Sequence, residues 1–219
     1  VRLHQGAEIL CTPQTARLAH EGRLPTLGDT RYVLTEFYFN ESFGFMDNCL
    51  RQIASAGYIP VVAHPERYQC VCYGPRIVNL WKEMGCLFQV NRGSLLGRYG
   101  YSARQMGMAL VRRGFATAVA TDAHSPVVRT PRARDVYELL YQEVSPAAAE
   151  ILMKRNPTSY GQDIRMTTVK PHSTERRAPL TVPFSKTYPQ GTKQRKATQS
   201  PMKIQRLSFP PPFSHLMRK

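Results

Sequence analysis

The sequence predicts an α/β fold built on parallel strands, and two observations carry that prediction. Short apolar and β-branched runs at 7–10, 31–37, 58–64, 86–91 and 116–122 alternate strictly with helix-like stretches at 13–20, 46–56, 75–84, 103–113, 131–142 and 146–154. The second observation is spacing. The runs carry Glu8, Glu36, His64, Asn91 and Asp122 as their terminating polar residues, at intervals of 28, 28, 27 and 31. One interval accommodates one strand, one helix and two loops.

Each element has a local reason. The strand runs are continuously apolar rather than alternating, as expected of strands covered on both faces. Several helical stretches open on proline (Pro13, Pro75, Pro131, Pro146) and several stop just before glycine (Gly22, Gly57, Gly85, Gly114). Proline presets the first helical turn, and glycine takes the left-handed residue after the last. In a barrel of parallel strands the C-terminal strand ends converge on one mouth, so the five polar residues are expected to share a site. Five strands fall short of the seven or eight that close such a barrel. The first strands are therefore expected upstream of Val1, in keeping with a chain that opens on valine rather than methionine.

A chain of 219 residues, 42% hydrophobic, suits one ordinary domain or one domain and a tail. The formal charge of +15 is uneven: residues 166–219 hold eleven basic side chains and one acidic, +10, leaving +5 for residues 1–165. A pI of about 10.0 therefore does not make the whole chain a nucleic-acid binder. Residues 166–219, with eight prolines and no long apolar run, read as a disordered basic tail. Contact with nucleic acid is expected only there and only non-specifically. No run of about 18 apolar residues and no leader pattern occurs, so the expectation is a cytoplasmic protein without membrane insertion. The five cysteines are odd in number and their nearest spacing is C-x-C (Cys70, Cys72), which argues against a disulfide framework and a structural zinc site.

Three segments carry chemistry: Gly6-Ala7-Glu8, the AHPERY of 63–68 and the TDAHS of 121–125. Carboxylates and imidazoles at one mouth are hard or borderline ligands suited to manganese, iron or zinc in a hydrolytic centre. In an extended strand Asp122 and His124 would point to the same face. Each alone has a plainer explanation: a core histidine bonded to a carbonyl for His64, a paired carboxylate under a loop for Glu36. Gathered at successive strand ends, Glu8, Glu36 and Asp122 need cations to neutralise them.

The motifs GAEI (6–9), LPTLGDTRYVLTEF (24–37), GYIPVVAHPERY (57–68), QVNRGSLLG (89–97) and ATDAHS (120–125), followed by Arg129-Thr-Pro131, carry a family resemblance. In order and spacing the chain resembles the metal-dependent bacterial protein-tyrosine phosphatases of capsule and exopolysaccharide synthesis, within the PHP (polymerase and histidinol phosphatase) superfamily, from Gly6 to about Gly161. The resemblance implies a distorted (β/α)7 barrel, here lacking its first two strands, and a multinuclear centre, usually of manganese. It implies Glu8 as a bridging carboxylate, Glu36 and His64 as ligands of the neighbouring ion, and Asp122 and His124 as the final ligand pair. Arg67 and Arg129 become the catalytic, phosphate-binding arginines, with Asn91 also at the substrate. A salt bridge to Glu66 is the alternative for Arg67.

A metal-bridging hydroxide would attack phosphorus in line, with no cysteine nucleophile. The C-x5-R signature of cysteine-dependent tyrosine phosphatases is absent, Cys70 being followed by Pro75 and Arg76. The implied partner is a phosphotyrosine protein, the tyrosine autokinase of polysaccharide export. A small-molecule phosphoesterase resembling histidinol phosphatase, or an inactive fragment with an anion-binding tail, are the competing readings. The family's further ligands, from an H-x-H strand, an Asp after it and a second-strand His, have no counterpart here. His4, about 13 Å from Glu8 along an extended chain, cannot replace them. Weak metal binding and low turnover are therefore expected of residues 1–219 by themselves.

Overall fold

The computed structural model describes residues 3–160 together with Thr167 and Val169. One sheet of five parallel strands lies at its centre, in sequential order: β1 (Glu8–Leu10), β2 (Tyr32–Glu36), β3 (Ile59–Ala63), β4 (Leu87–Asn91) and β5 (Ala118–Ala120). The first two crossovers are α1 (Thr15–His20) and α2 (Phe43–Ser55). The next two each hold a pair of helices, α3 (Gln69–Tyr73) with α4 (Ile77–Glu83), then α5 (Arg92–Leu95) with α6 (Tyr101–Arg112). After β5 come α7 (Arg134–Glu143), α8 (Pro146–Glu150), a π turn (Ile151–Arg155) and α9 (Asn156–Tyr160).

All five expected strands are present, with trimmed ends. One trim changes the argument: Glu8 opens β1 rather than closing it, level with Leu34 of β2, while Leu10 is level with Glu36. The short helices α3 and α5, and a 3₁₀ turn at Pro65–Arg67, were not expected; runs of three to five residues are too short to show a helical period. Caps explain several helix starts. Ser42 accepts from the Phe45 N–H at 3.3 Å and Ser145 from the Ala148 N–H at 3.0 Å. Gly57 and Gly85, at φ of +89° and +96°, turn the chain from α2 into β3 and from α4 into β4.

The strands divide the core in two. Their outward residues, among them Ile9, Val33, Val62, Phe88 and Val119, join the buried faces of the helices, including Met46, Leu50, Ile53, Trp81 and Leu110, in the main core. The inward residues form a small cluster of Tyr32, Val61 and Ala118 with Leu27, Leu34, Ile59 and Leu87. On β2 and β4 the inward line becomes polar toward the strand's C-terminal end, Tyr32, Leu34, Glu36 on the one and Leu87, Gln89, Asn91 on the other.

The sheet is curled. In a flat sheet β1 and β5 stand four strand spacings apart, about 19 Å. Yet ligand atoms of Glu8, Asp122 and His124 lie within 4.8 Å of one another. The concave side therefore holds the inner cluster with a polar mouth above it, and among the described residues no backbone ladder joins β1 to β5. Asn156, buried at the start of α9, donates to Thr117 O at 2.7 Å and to Thr167 O at 2.8 Å, and Val169 is buried in the main core. The expected tail otherwise lies outside the described residues. Among those residues no helix is long and apolar enough to cross a membrane.

Leu50 is fully buried on α2, and Leu50→Ala is expected to cost about 2–5 kcal/mol through lost contacts and an unfilled cavity. Denaturant titration followed by the fluorescence of Trp81, the single tryptophan, measures it; a loss below about 1 kcal/mol contradicts this packing.

Candidate metal centre

Strands β1, β2 and β3 bring three donors to one point. His64 follows β3 directly; its N–H donates to Gln89 O at 2.7 Å, and its φ of +34° swings the chain into the 3₁₀ turn opened by Pro65. Asp122, after β5, shares this left-handed conformation at φ +50°. Such a backbone costs on the order of 1 kcal/mol or more for a residue with a side chain; of the three such residues among those described, Asp29 lies in a turn and the other two fall on expected ligands.

The turn aims the buried imidazole at two carboxylates. His64 Nε2 stands 3.2 Å from Glu36 Oε1 and 3.5 Å from Glu8 Oε1. Burial opposes the imidazolium, but Glu36 and Glu8, with Glu66 nearby, outweigh burial and hold the His64 pKa up at about 9. The bond to His64 in turn lowers Glu36 against its own burial.

A second group comprises Glu8, Asp122 and His124. The extended geometry expected for Asp122 and His124 does not occur, because β5 stops at Ala120 and the left-handed Asp122 turns the chain. The turn itself places His124 Nδ1 3.0 Å from Asp122 O and 3.4 Å from Asp122 Oδ1. Asp122 Oδ2 accepts from Asn91 Nδ2 at 2.8 Å and from the Arg129 guanidinium, whose Nε also donates to Asp122 O at 3.2 Å. Asn91 is buried, and its Oδ1 caps α5 by accepting from Gly93 N–H at 2.7 Å. Both polar ends of Asn91 are thus committed, and it sits behind Asp122 rather than opening toward a substrate. Arg129, likewise, is turned onto Asp122.

Glu8 belongs to both groups, the placement a bridging carboxylate requires. The donors suit a metal in kind and in spacing. Two carboxylates and an imidazole are hard or borderline ligands. Donors bonded to one ion at about 2.1 Å lie roughly 3.0–3.5 Å apart, and the His64–Glu36 and His64–Glu8 separations of 3.2 and 3.5 Å match. His64 Nδ1 is buried without a partner among the described residues, so only the Nε2 side satisfies the ring.

Arg67 is held differently. Its guanidinium lies between the rings of Phe39 and Tyr99, 4.2 Å from each centroid, and Phe39 packs on His64 at 5.7 Å. The salt bridge to Glu66 is not formed: Glu66 is fully buried, its Oε1 accepts from Asn91 N–H at 3.0 Å, and burial raises its pKa. Stacking grips the faces of a guanidinium and leaves its edge N–H groups free to donate in the plane. Phe39 and Tyr99 were not singled out from sequence, since loop aromatics carry no periodic signal, and Glu66 was read there only as a partner for Arg67. Gly93 offered a clue: a Cβ there would lie 2.6 Å from Tyr99 Cε2, so the glycine of QVNRG admits the ring.

The fold and the mouth define an α/β protein whose curled parallel sheet gathers two sets of side chains that could hold a metal ion. The chain belongs to the capsular polysaccharide synthesis family CpsB/CapC, whose model matches residues 1–162. It is 29% identical over 164 residues to the tyrosine-protein phosphatase YwqE of Bacillus subtilis (strain 168), covering 72% of this chain and 64% of that protein. To the tyrosine-protein phosphatase CpsB of Streptococcus pneumoniae it is 28% identical over 157 residues, 69% of this chain and 65% of that protein. It thus spans just under two thirds of the length of both. A chain from the crystal structures of YwqE and CpsB, described as unique metal-dependent tyrosine phosphatases, matches with a TM-score of 0.70 at 26% identity, covering 78% of this chain and 69% of that one.

Gly93→Ala is expected to drive Tyr99 off Arg67 and cost about 1–3 kcal/mol. In a thermal or denaturant double-mutant cycle, Gly93→Ala combined with Tyr99→Ala should lose clearly less than the two single losses together, and simple additivity refutes the contact.

Proposed function

We propose that this chain is the catalytic body of a metal-dependent protein-tyrosine phosphatase. One observation carries the reading: Glu8 joins two three-donor groups in a single mouth, beside an arginine that is aromatically clamped and, among the described residues, bonded to no carboxylate. Its relatives, tyrosine-protein phosphatases, and the matching crystal structures, of metal-dependent tyrosine phosphatases, support it. The ions are manganese in this reading, and when bound they supply Lewis-acid polarisation of the phosphoryl oxygens and a nucleophile from water at neutral pH.

The chain's own residues do the rest. Glu36 and His64 would hold one ion, Asp122 and His124 another, and Glu8 would serve both. Arg67 offers the edge of its guanidinium to the phosphoryl oxygens, where paired N–H donors suit a phosphate. The half-exposed Phe39 ring beside it provides an apolar wall for the aromatic ring of phosphotyrosine. Arg129 and Asn91 fix Asp122, and Arg129 is the second guanidinium of the mouth that would meet a phosphate. In this reading the five strands are a section of a distorted seven-stranded barrel, residues 1–165 form the domain, and the substrate is the cytoplasmic tyrosine autokinase of polysaccharide export.

Phosphate release with added Mn2+ from a phosphotyrosine peptide should exceed that from histidinol phosphate by at least tenfold and fall to background with a chelator. The ratio of the two rates carries the test, and a preference for histidinol phosphate overturns the protein-phosphatase reading. Glu8→Gln, which touches both groups, should weaken Mn2+ binding in calorimetry by roughly tenfold or more; Glu36→Gln, which touches one, should weaken it less. Equal losses would count against Glu8 as the shared ligand.

A further inference from the structure

The loop after Asp122 also walls a second, open depression of about 460 Å³, lined by Arg92, Arg98, Arg132 and Arg134 with the strongly exposed Val127 and Val128. Two of these arginines are engaged. The buried Arg92 donates from Nε to Asp135 at 2.7 Å and from a second nitrogen to the other carboxylate oxygen, and Arg134 donates to Glu138 at 2.8 Å. Arg98 and Arg132 are exposed, and among the described residues neither is bonded to a carboxylate, although the charge of Arg98 reaches Asp135. The pocket therefore sets four guanidinium groups against two carboxylates, in a concavity that concentrates the uncompensated positive field.

Its position relates it to the mouth. Arg92 follows Asn91 and Thr130 follows Arg129, the two residues that hold Asp122, so one loop borders both depressions. The mixture of free arginines and exposed valines, with no aromatic ring in the lining on which a base could stack, suits a peptide better than a nucleic acid. We propose that this pocket docks acidic residues flanking the phosphotyrosine of a protein substrate. The proposal rests on the phosphatase reading for the phosphotyrosine and on the pocket alone for the flank. It supplies a means of choosing among phosphotyrosines that the mouth by itself would treat alike, because the flank is read some residues away from the phosphoryl group.

The test is fluorescence anisotropy without added metal, so that the peptides stay intact. Labelled twelve-residue peptides carry phosphotyrosine or tyrosine, each with glutamate or glutamine flanks. Glutamate flanks should bind the wild-type chain roughly fivefold or more tightly than glutamine flanks, whether or not the tyrosine is phosphorylated, and the preference should shrink as salt is raised. In the double variant Arg98→Gln, Arg132→Gln the preference should vanish; both positions are exposed, and an unchanged melting curve shows that the fold is kept. Equal binding of the two flanks, or a preference that survives in the variant, overturns the proposal. So does an oligouridylate RNA that binds through the same two arginines more tightly than the glutamate peptide. The preference for a phosphotyrosine peptide over histidinol phosphate with added Mn2+ is a separate readout of the mouth: its failure counts against the phosphatase reading and leaves the pocket's result standing.

Discussion

The contact on which the rest depends is the approach of the Glu8 carboxylate to donors from both ends of the sheet. A carboxylate at one edge can meet Asp122 and His124 beyond the other only if the sheet curls through most of a turn. Helices on the convex side impose that curl by burying apolar residues there, and the concave side is left with a narrow core too small to fill the mouth. Polar side chains at that level face one another across a gap. Three carboxylates in such a space repel unless cations separate them, so the same curvature that creates the site also creates its demand for positive charge.

Protein cations already meet part of that demand. His64 leans on Glu36 and Glu8, and Arg129 on Asp122, so the acidic groups are paired internally. A metal would displace softer partners rather than enter a bare anionic hole. Behind these side chains lies a layer that fixes their directions. Glu66 accepts the backbone N–H of Asn91, and Asn91 donates to Asp122 while capping α5. Residues from the β3 and β4 ends thereby hold Asp122, which belongs to the loop after β5.

The arginines show how one side-chain type takes different work from its surroundings. Arg92 is buried and doubly bonded to Asp135, a structural pair. Arg129 is held by a carboxylate that a metal would draw away. Arg67 is held by two ring faces, which orient it without satisfying its donors. Charge counts along the chain treat these as equal, and position in the fold separates them.

Much of this was legible in the linear order of residues. The alternation of apolar runs with helical stretches, punctuated by proline and glycine, determined five parallel strands and the crossovers between them, because those signals are local. The near-constant interval between polar strand-end residues determined that Glu8, Glu36, His64 and Asp122 would share one mouth, because a parallel sheet repeats its geometry once per crossover. The tertiary structure alone decided how they meet. Glu8 opens its strand instead of closing it, Asp122 and His124 converge through a left-handed turn rather than an extended strand, Asn91 supports a ligand from behind, and Arg67 stacks between Phe39 and Tyr99 instead of pairing with Glu66. Each of these is a contact between residues far apart in the chain or a single backbone angle. Neither leaves a period in the sequence, and both are set only when the curled sheet brings its two edges together.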